Sequence, residues 1–419
     1  MKIKSFLLAM ALLVTAPLLA DESPGDVAAL RSAMDAMKAE IAALRAEIAA
    51  VKAGATGAPA TVEDGPAAET PAPPENLTEL AGKVESIGEA FTETRNTVDA
   101  LSKLKVSGYL QAQYVNDQRS RDELTGPATT RNLDMFSVRR ARLKFIYQMN
   151  PTSRFVLQPD ITSSGVVLKD GYVELTEPWT TWKHTLTAGQ FNWPYGFEIM
   201  YSSSSREVPE RSRVVRTLFP SERDRGVMLS GAGFGERFTY RVALVNGTGT
   251  AQSFDLNQKK DLVGRIGYSF GALDIGASAY RGQDLIPTAT NAKGVNFAKE
   301  REGIDFQWAT PLPGLGIRGE YLRGRQAPAA GTTRTRSQDV DGWYLYAIQN
   351  IGTRHQMVLR VDEYDADTDV GGDAIRTFNP AYIFHWDAHS KVMASYELIS
   401  SERNDPHDDV FTLRYQFSF

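Results

Sequence analysis

From about residue 104 to residue 419 the chain repeats one pattern: short segments in which apolar and polar residues alternate, separated by clusters of Gly, Pro, Asn, Asp and Ser, with no helical period. Successive side chains of a strand point to opposite faces, so each such segment is a strand with one apolar and one polar face. Candidate strands fall near 106–116, 135–148, 154–162, 166–176, 184–192, 225–233, 238–247, 260–270, 273–282, 301–310, 316–325, 340–350, 356–365, 376–386, 391–401 and 410–419. Sixteen is an even number, and the connectors alternate in length. Asn150 to Ser153, Gly271-Ala272, Pro311 to Gly314 and Ala388 to Ser390 are short, whereas 117–134, 197–224, 283–300 and 326–339 are long and polar. Short turns at one end and long loops at the other describe an all-β fold, a 16-stranded antiparallel transmembrane β-barrel whose first and last strands meet the periplasm.

The alternative is a large soluble β-sandwich, and the last strand weighs against it. Phe411, Leu413, Tyr415, Phe417 and Phe419 point one way and Thr412, Arg414, Gln416 and Ser418 the other, a fully apolar stripe that water would not tolerate. Similar stripes run through Tyr240-Val242-Leu244, Leu262 to Phe270, Ile304-Phe306-Trp308 and Val392 to Leu398. Their opposite sides carry Arg241, Asp261, Arg265, Asp305, Gln307 and Glu397, which a dry interior would not accept unpaired. A wet interior is expected, and sixteen strands enclose enough width for an aqueous channel.

Ahead of the barrel the sequence is helical and low-complexity in turn. Met1-Lys2-Ile3-Lys4, an apolar run from Phe6 to Leu19 and Ala20 before Asp21 read as a signal peptide over residues 1–20. Val27, Leu30, Met34, Met37, Ile41, Leu44, Ile48 and Val51 mark a heptad seam, giving a coiled-coil helix over 21–53. Residues 54–75, rich in Pro and Ala, read as a linker, and Asn76 caps a second heptad helix over 76–104 through Leu77, Leu80, Val84, Ile87, Phe91, Val98 and Leu101. The seam residues leave dimer and trimer open. The barrel domain is residues 105–419.

The chain has 46 basic and 51 acidic residues and a net charge of −5, with no long basic tract, so nucleic acid is excluded as a partner. It has no cysteine, hence neither disulfides nor thiolate metal sites. The first 104 residues hold 9 basic and 15 acidic residues, leaving 37 and 36 in the barrel, so any charge selectivity must come from local placement. On the second strand Arg140, Arg142 and Lys144 share the lumen parity while Ala141, Leu143 and Phe145 face lipid; Arg139, on the lipid parity, is expected to snorkel at an interface. The longest connector, Glu198 to Asp224, carries Arg206, Arg211, Arg213, Arg216 and Arg223 against Glu207, Glu210 and Glu222. It either folds inward to narrow the pore or covers the mouth. With Arg241 and Arg265 on lumen faces, these ten cations are the candidate pore-lining, anion-selecting residues. No cofactor or metal is expected. The acidic run Asp362 to Gly371 departs from a calcium loop, the five histidines lack ligand spacing, and the best Ser–His pair for a barrel hydrolase, Ser395 with His385, is isolated.

Several stretches in order, SVRRARLKF at 137–145, LKDGYVEL at 168–175, TAGQFNWPYGFE at 187–198 and the loop that follows to VML at 227–229, resemble the phosphate-selective porin O and P family. The resemblance spans essentially everything after Leu104. It implies a trimeric sixteen-stranded porin, often preceded by a periplasmic coiled coil, that admits anions such as phosphate. Where the best-known phosphate-specific members carry a long arginine ladder, this chain has only short pairs such as Arg211-x-Arg213, Arg223-x-Arg225 and Arg334-x-Arg336, which leaves the identity of the anion open. The expected partners are outer-membrane lipid and lipopolysaccharide, two further copies of the chain, small anionic solutes and, through the coiled coil, the cell wall. Two other readings stand beside it: a sugar or neutral-solute porin using Trp193, Tyr195, Phe197 and Tyr201 as stacking platforms, and a tether between outer membrane and cell wall.

Overall fold

The computed structural model describes scattered residues between 39 and 100 and, from Ser102 on, every residue except 119–133, 163–164, 251–253, 256 and 402–407. The chain divides into two compact units, Met1–Leu104 and Lys105–Phe419. In the first, the described residues up to Ser102 are helical, among them Phe91 and Val98 of the second heptad seam, and Arg95 pairs with Asp99 one turn on at 3.9 Å. The signal, the first heptad helix and the linker are otherwise outside the described residues. No helix among the described residues is long and apolar enough to cross a membrane.

The second unit is a closed antiparallel barrel of sixteen strands in sequence order. They are β1 (Leu104–Asp117), β2 (Met135–Asn150), β3 (Ser153–Thr162), β4 (Gly165–Thr176), β5 (Thr185–Asn192), β6 (Arg223–Gly233), β7 (Phe238–Val245) and β8 (Asp261–Ser269). The second half is β9 (Leu273–Ile286), β10 (Val295–Ala309), β11 (Leu315–Gln326), β12 (Gln338–Ile351), β13 (His355–Asp365), β14 (Ile375–His385), β15 (Ser390–Ser401) and β16 (Val410–Ser418). β1 closes on β16 in the register Leu110↔Phe417, Ala112↔Tyr415 and Tyr114↔Leu413, and Gly108 and Phe419 exchange both backbone hydrogen bonds at 3.0 Å. Count and parity are as the sequence indicated. Two boundaries differ by more than two residues: β10 begins at Val295 rather than near 301, and β9 runs on to Ile286, with Lys299 and Arg301 turned inward along the continued pairing.

The outward stripes are exposed in the isolated chain, Ile304 at 61% and Leu262 at 52%, as a lipid-facing surface requires. The interior departs from expectation. The barrel holds a hydrophobic cluster in which Trp193, Tyr195, Ile199, Val208, Val214, Val215, Leu218 and Phe219 of the connector between β5 and β6 pack on inward residues of β7 to β15. The lumen is therefore part apolar core and part polar, because one long segment supplies a packing partner that the strand pattern alone did not show.

Candidate functional site

The segment between β5 and β6 is an inward loop, pinned at its neck where Trp193 N–H donates to the Glu222 carbonyl at 3.1 Å. Phe219 sets its depth. Its ring lies 4.7 Å from Tyr195 and 6.1 Å from Tyr280 of β9, centroid to centroid. Gly196 makes the turn at φ +56°, where a Cβ would stand 1.8 Å from Glu320 Oε1; only glycine permits that approach. Glu320 in turn accepts from Phe197 N–H at 3.2 Å and Tyr344 O–H at 2.8 Å. Beyond it the loop forms a six-residue helix, α1 (Arg213–Leu218), whose first amide donates to Asp362 Oδ1 at 3.1 Å.

Ion pairs fix the rest of the loop to the wall. Glu210 lies within 2.9–3.1 Å of three guanidiniums, Arg139, Arg140 and Arg414. Arg142 pairs with Asp160 at 2.9 Å and donates to Ser203 Oγ at 3.0 Å. Arg223 bridges Asp170 at 2.8 Å and Glu222 at 3.0 Å, and Arg211 pairs with Glu222 while donating to the Glu198 carbonyl at 2.7 Å. Arg318 pairs with Glu207 between the rings of Tyr201 and Tyr346, 4.7 and 4.5 Å away. Burial alone would raise the Glu222 carboxyl, but Arg211, Arg206 and Arg223 outweigh it and hold it at about 2. Glu210 is likewise opposed by burial and held well below the usual carboxylate range by Arg140, Arg139 and Arg414.

Of the ten candidate cations, Arg140, Arg211 and Arg223 thus meet the loop's half-buried carboxylates Glu210 and Glu222, and Arg142 pairs with Asp160 of β3 while holding the loop through Ser203. Arg216 reaches Glu397 at 3.6 Å, and Arg265 pairs with Asp305 at 2.6 Å. Arg213 stands at the start of α1, and Arg223 is the first residue of β6 rather than part of the loop. Arg206 is 2% exposed, and its guanidinium nitrogens have no hydrogen-bond partner among the described residues; burial, then Arg211 and Arg140, depress its pKa. Arg139 is corrected: it reaches Glu210 instead of snorkelling, because an anionic partner sits within reach of its long side chain.

Lys144 and Arg241 are placed together elsewhere. They line a cavity of about 580 Å³ between the loop and the β2–β7 wall, toward the short-turn end, with Lys183, Arg154, Tyr172 and Glu174. Arg154 pairs with Glu174. Lys144, Lys183 and Arg241 have no carboxylate at ion-pair distance among the described residues. Lys183 was not singled out in the sequence because it lies in a turn, with no strand parity to orient it. In the sequence Glu207, Glu210 and Glu222 read only as countercharges to the loop's arginines. Arg318, Arg360 and Arg414 were missed as partners, although each occupies a lumen-parity position.

The remaining motifs do not assemble. Ser395 donates to Asn379 at 2.8 Å and sits opposite Ala381, while His385 is opposite Lys391. Asp367 pairs with Arg334 at 2.6 Å, and no metal-binding group of His, Asp and Glu occurs among the described residues. Trp193 and Tyr195 are buried in the loop's core and present no stacking face to solute.

The sequence pattern of the family described as phosphate-selective porin O and P matches residues 108–293. No curated protein matches the chain. Among solved structures, an anion-selective porin from Comamonas acidovorans is similar with TM-score 0.57 and 11% identity, over 75% of this chain and 99% of that one. The outer membrane channel DcaP of Acinetobacter baumannii gives 0.53 and 11%, over 75% and 97%, and the trimer form of OmpT from Vibrio cholerae 0.50 and 10%, over 75% and 99%.

Proposed function

We propose that this protein, a bacterial outer-membrane porin whose residues 108–293 match the phosphate-selective porin O and P family, passes small anions by passive diffusion past the inward loop. The observation that carries the preference for anions is the 580 Å³ lumen cavity lined by Lys144, Arg154, Lys183 and Arg241 against Asp170 and Glu174: Asp170 pairs with Arg223 and Glu174 with Arg154, so Lys144, Lys183 and Arg241 have no ion-pair partner among the described residues. A charge paired at 2.9 Å, as in Arg142–Asp160, contributes little field to a passing ion, whereas an uncompensated ammonium or guanidinium in a narrow lumen attracts anions and repels cations. The selecting set is therefore Lys144, Arg241 and Lys183, and the paired arginines Arg140, Arg142, Arg211 and Arg223 instead build the loop's seat. A neutral-solute pore would need exposed aromatic platforms; Trp193 and Tyr195 are occupied by packing, and Phe197 and Tyr201 stack on each other beneath the Arg318 guanidinium.

The test is the reversal potential in a salt gradient. Lys144→Gln with Arg241→Gln should lower the anion-to-cation permeability ratio severalfold, whereas Arg334→Gln with Arg336→Gln, on an outer loop and screened within about 8–10 Å, should leave it unchanged. An unaltered ratio in the first pair would remove the assignment. We further propose a homotrimer, supported by the heptad seams and by the trimeric form of the Vibrio cholerae neighbour. A native mass in detergent of one chain would exclude it.

A further inference from the structure

The lumen cavity beside Lys144, Lys183 and Arg241 is not lined by charge alone. Its wall on β5 and β6 carries short polar side chains, and the strand pairing sets them in order. Thr185 of β5 stands opposite Ser230 of β6, and Ser230 opposite Arg241 of β7. That all three face inward is fixed by their neighbours, since Leu186, Leu229 and Val242 are each 46% exposed on the lipid side. Neighbouring strands lie about 4.8 Å apart, so the two hydroxyls follow the guanidinium at roughly 5 and 10 Å across the wall. Thr187 stands in the next inward row of β5, opposite Met228.

Part of this polar wall is unsatisfied. Thr187 is 1% exposed, yet its Oγ1 has no hydrogen-bond partner among the described residues, and neither has the buried Oδ1 of Asn192 at the end of β5. Both residues line the cavity, and Ser230 donates only at 3.5 Å, to the Thr185 carbonyl. A buried polar oxygen without a partner is costly, so a solute that supplies one is held there. Asn192 Oδ1 can only accept. Chloride, sulfate and a bare carboxylate offer it no hydrogen, whereas a hydroxyl group does. An inorganic anion held at Arg241 would also leave Thr185 out of reach, and a cavity of about 580 Å³ is of the size that takes an organic molecule. A neutral sugar, in turn, would leave the three cations without a countercharge.

We propose that the solute this cavity holds is a polyhydroxylated organic anion of sugar-acid type; the proposal rests on the anion-pore reading above. Its acid group meets the cations, and its hydroxyls bond Thr187, Asn192 and Ser230. Arg241 donates one N–H to Met200 Sδ at 2.6 Å and keeps the others for a carboxylate, whose geometry the planar fork matches in pairs. Charge thus admits the class of solute, and hydroxyls rank its members.

The experiment is titration calorimetry of the full-length protein in detergent with three solutes. D-glucarate is the probe; adipate has the same carbon chain and both carboxylates without hydroxyls, and D-glucitol has the hydroxyls without charge. Wild type should bind glucarate at least tenfold more tightly than either. Thr187→Val with Ser230→Ala should bring glucarate close to adipate while leaving adipate's own affinity unchanged, a split that general damage to the fold would not produce. Absent binding of glucarate, or binding no tighter than adipate, overturns the proposal without needing any variant to fold. So does equal binding of glucarate and glucitol, which would make this a neutral-sugar site, or full preference for glucarate in the double variant. Absence of conductance in wild type with the glucarate preference intact would instead sink the porin reading and leave the binding site standing.

Discussion

Glu210 concentrates the residue-scale energetics of the lumen. Three guanidiniums converge on its carboxylate, and Arg360 and Arg414 also donate to the carbonyls of Glu210 and Pro209, each at 2.7 Å. Glu210→Gln removes the charge that Arg139, Arg140 and Arg414 share while keeping the volume. Breaking a buried pair in this way costs about 3–5 kcal/mol, so hydrogen-exchange protection of the loop amides should fall more than a hundredfold; protection within tenfold of wild type would show that packing alone holds the loop. The acid response follows from Glu222. Its carboxyl sits at about 2 in the folded protein against an ordinary 4.5, so its contribution is complete above roughly pH 4.5 and is lost as the pH falls through about 2. Emission from Trp193, buried at the loop's neck, should stay constant from pH 7 to 4.5 and change only below; a transition near pH 6 would assign the loop's docking to other groups.

At the scale of elements, the inward loop is held by an aromatic wedge as much as by charge. Phe219 fits between Tyr195 and Tyr280, with the Arg301 guanidinium 4.6 Å over its ring. Phe219→Ala leaves a cavity worth about 3–5 kcal/mol, enough to release the loop from the wall, so single-channel conductance should rise and become noisy. Conductance equal to wild type would mean that the loop stays in place without its wedge. The strands themselves were legible because a period of two is a local property: Phe411 to Phe419 declare their faces without knowledge of any neighbour. The loop was not legible in the same way. RVVRTL at 213–218 is too short to show helical periodicity, and its seat depends on Glu320, Tyr344 and Asp362, more than a hundred residues later. Nor did lumen parity distinguish a free cation from a paired one, since Arg142 and Lys144 share a face yet only Arg142 meets a carboxylate, supplied by β3.

For the whole molecule, every barrel strand finds both its partners between residues 104 and 419. Removing residues 21–104 should therefore leave a barrel with unaltered heat-modifiable mobility on a gel and an unaltered β-sheet circular dichroism spectrum, and loss of both would show that the preceding region is needed to fold it. The seam between β1 and β16 has a consequence in time. Arg414 and Gln113, side chains bonded across it at 3.0 Å, are 301 positions apart, so the ring exists only once almost the entire chain has arrived. Until that moment two bare strand edges face outward, each a template for any other extended chain nearby. Bringing distant ends together adds only slowly to the entropic cost as length grows; the hazard lies in the waiting. Such a protein needs custody between export and closure, an escort that covers both edges until Phe419 meets Gly108.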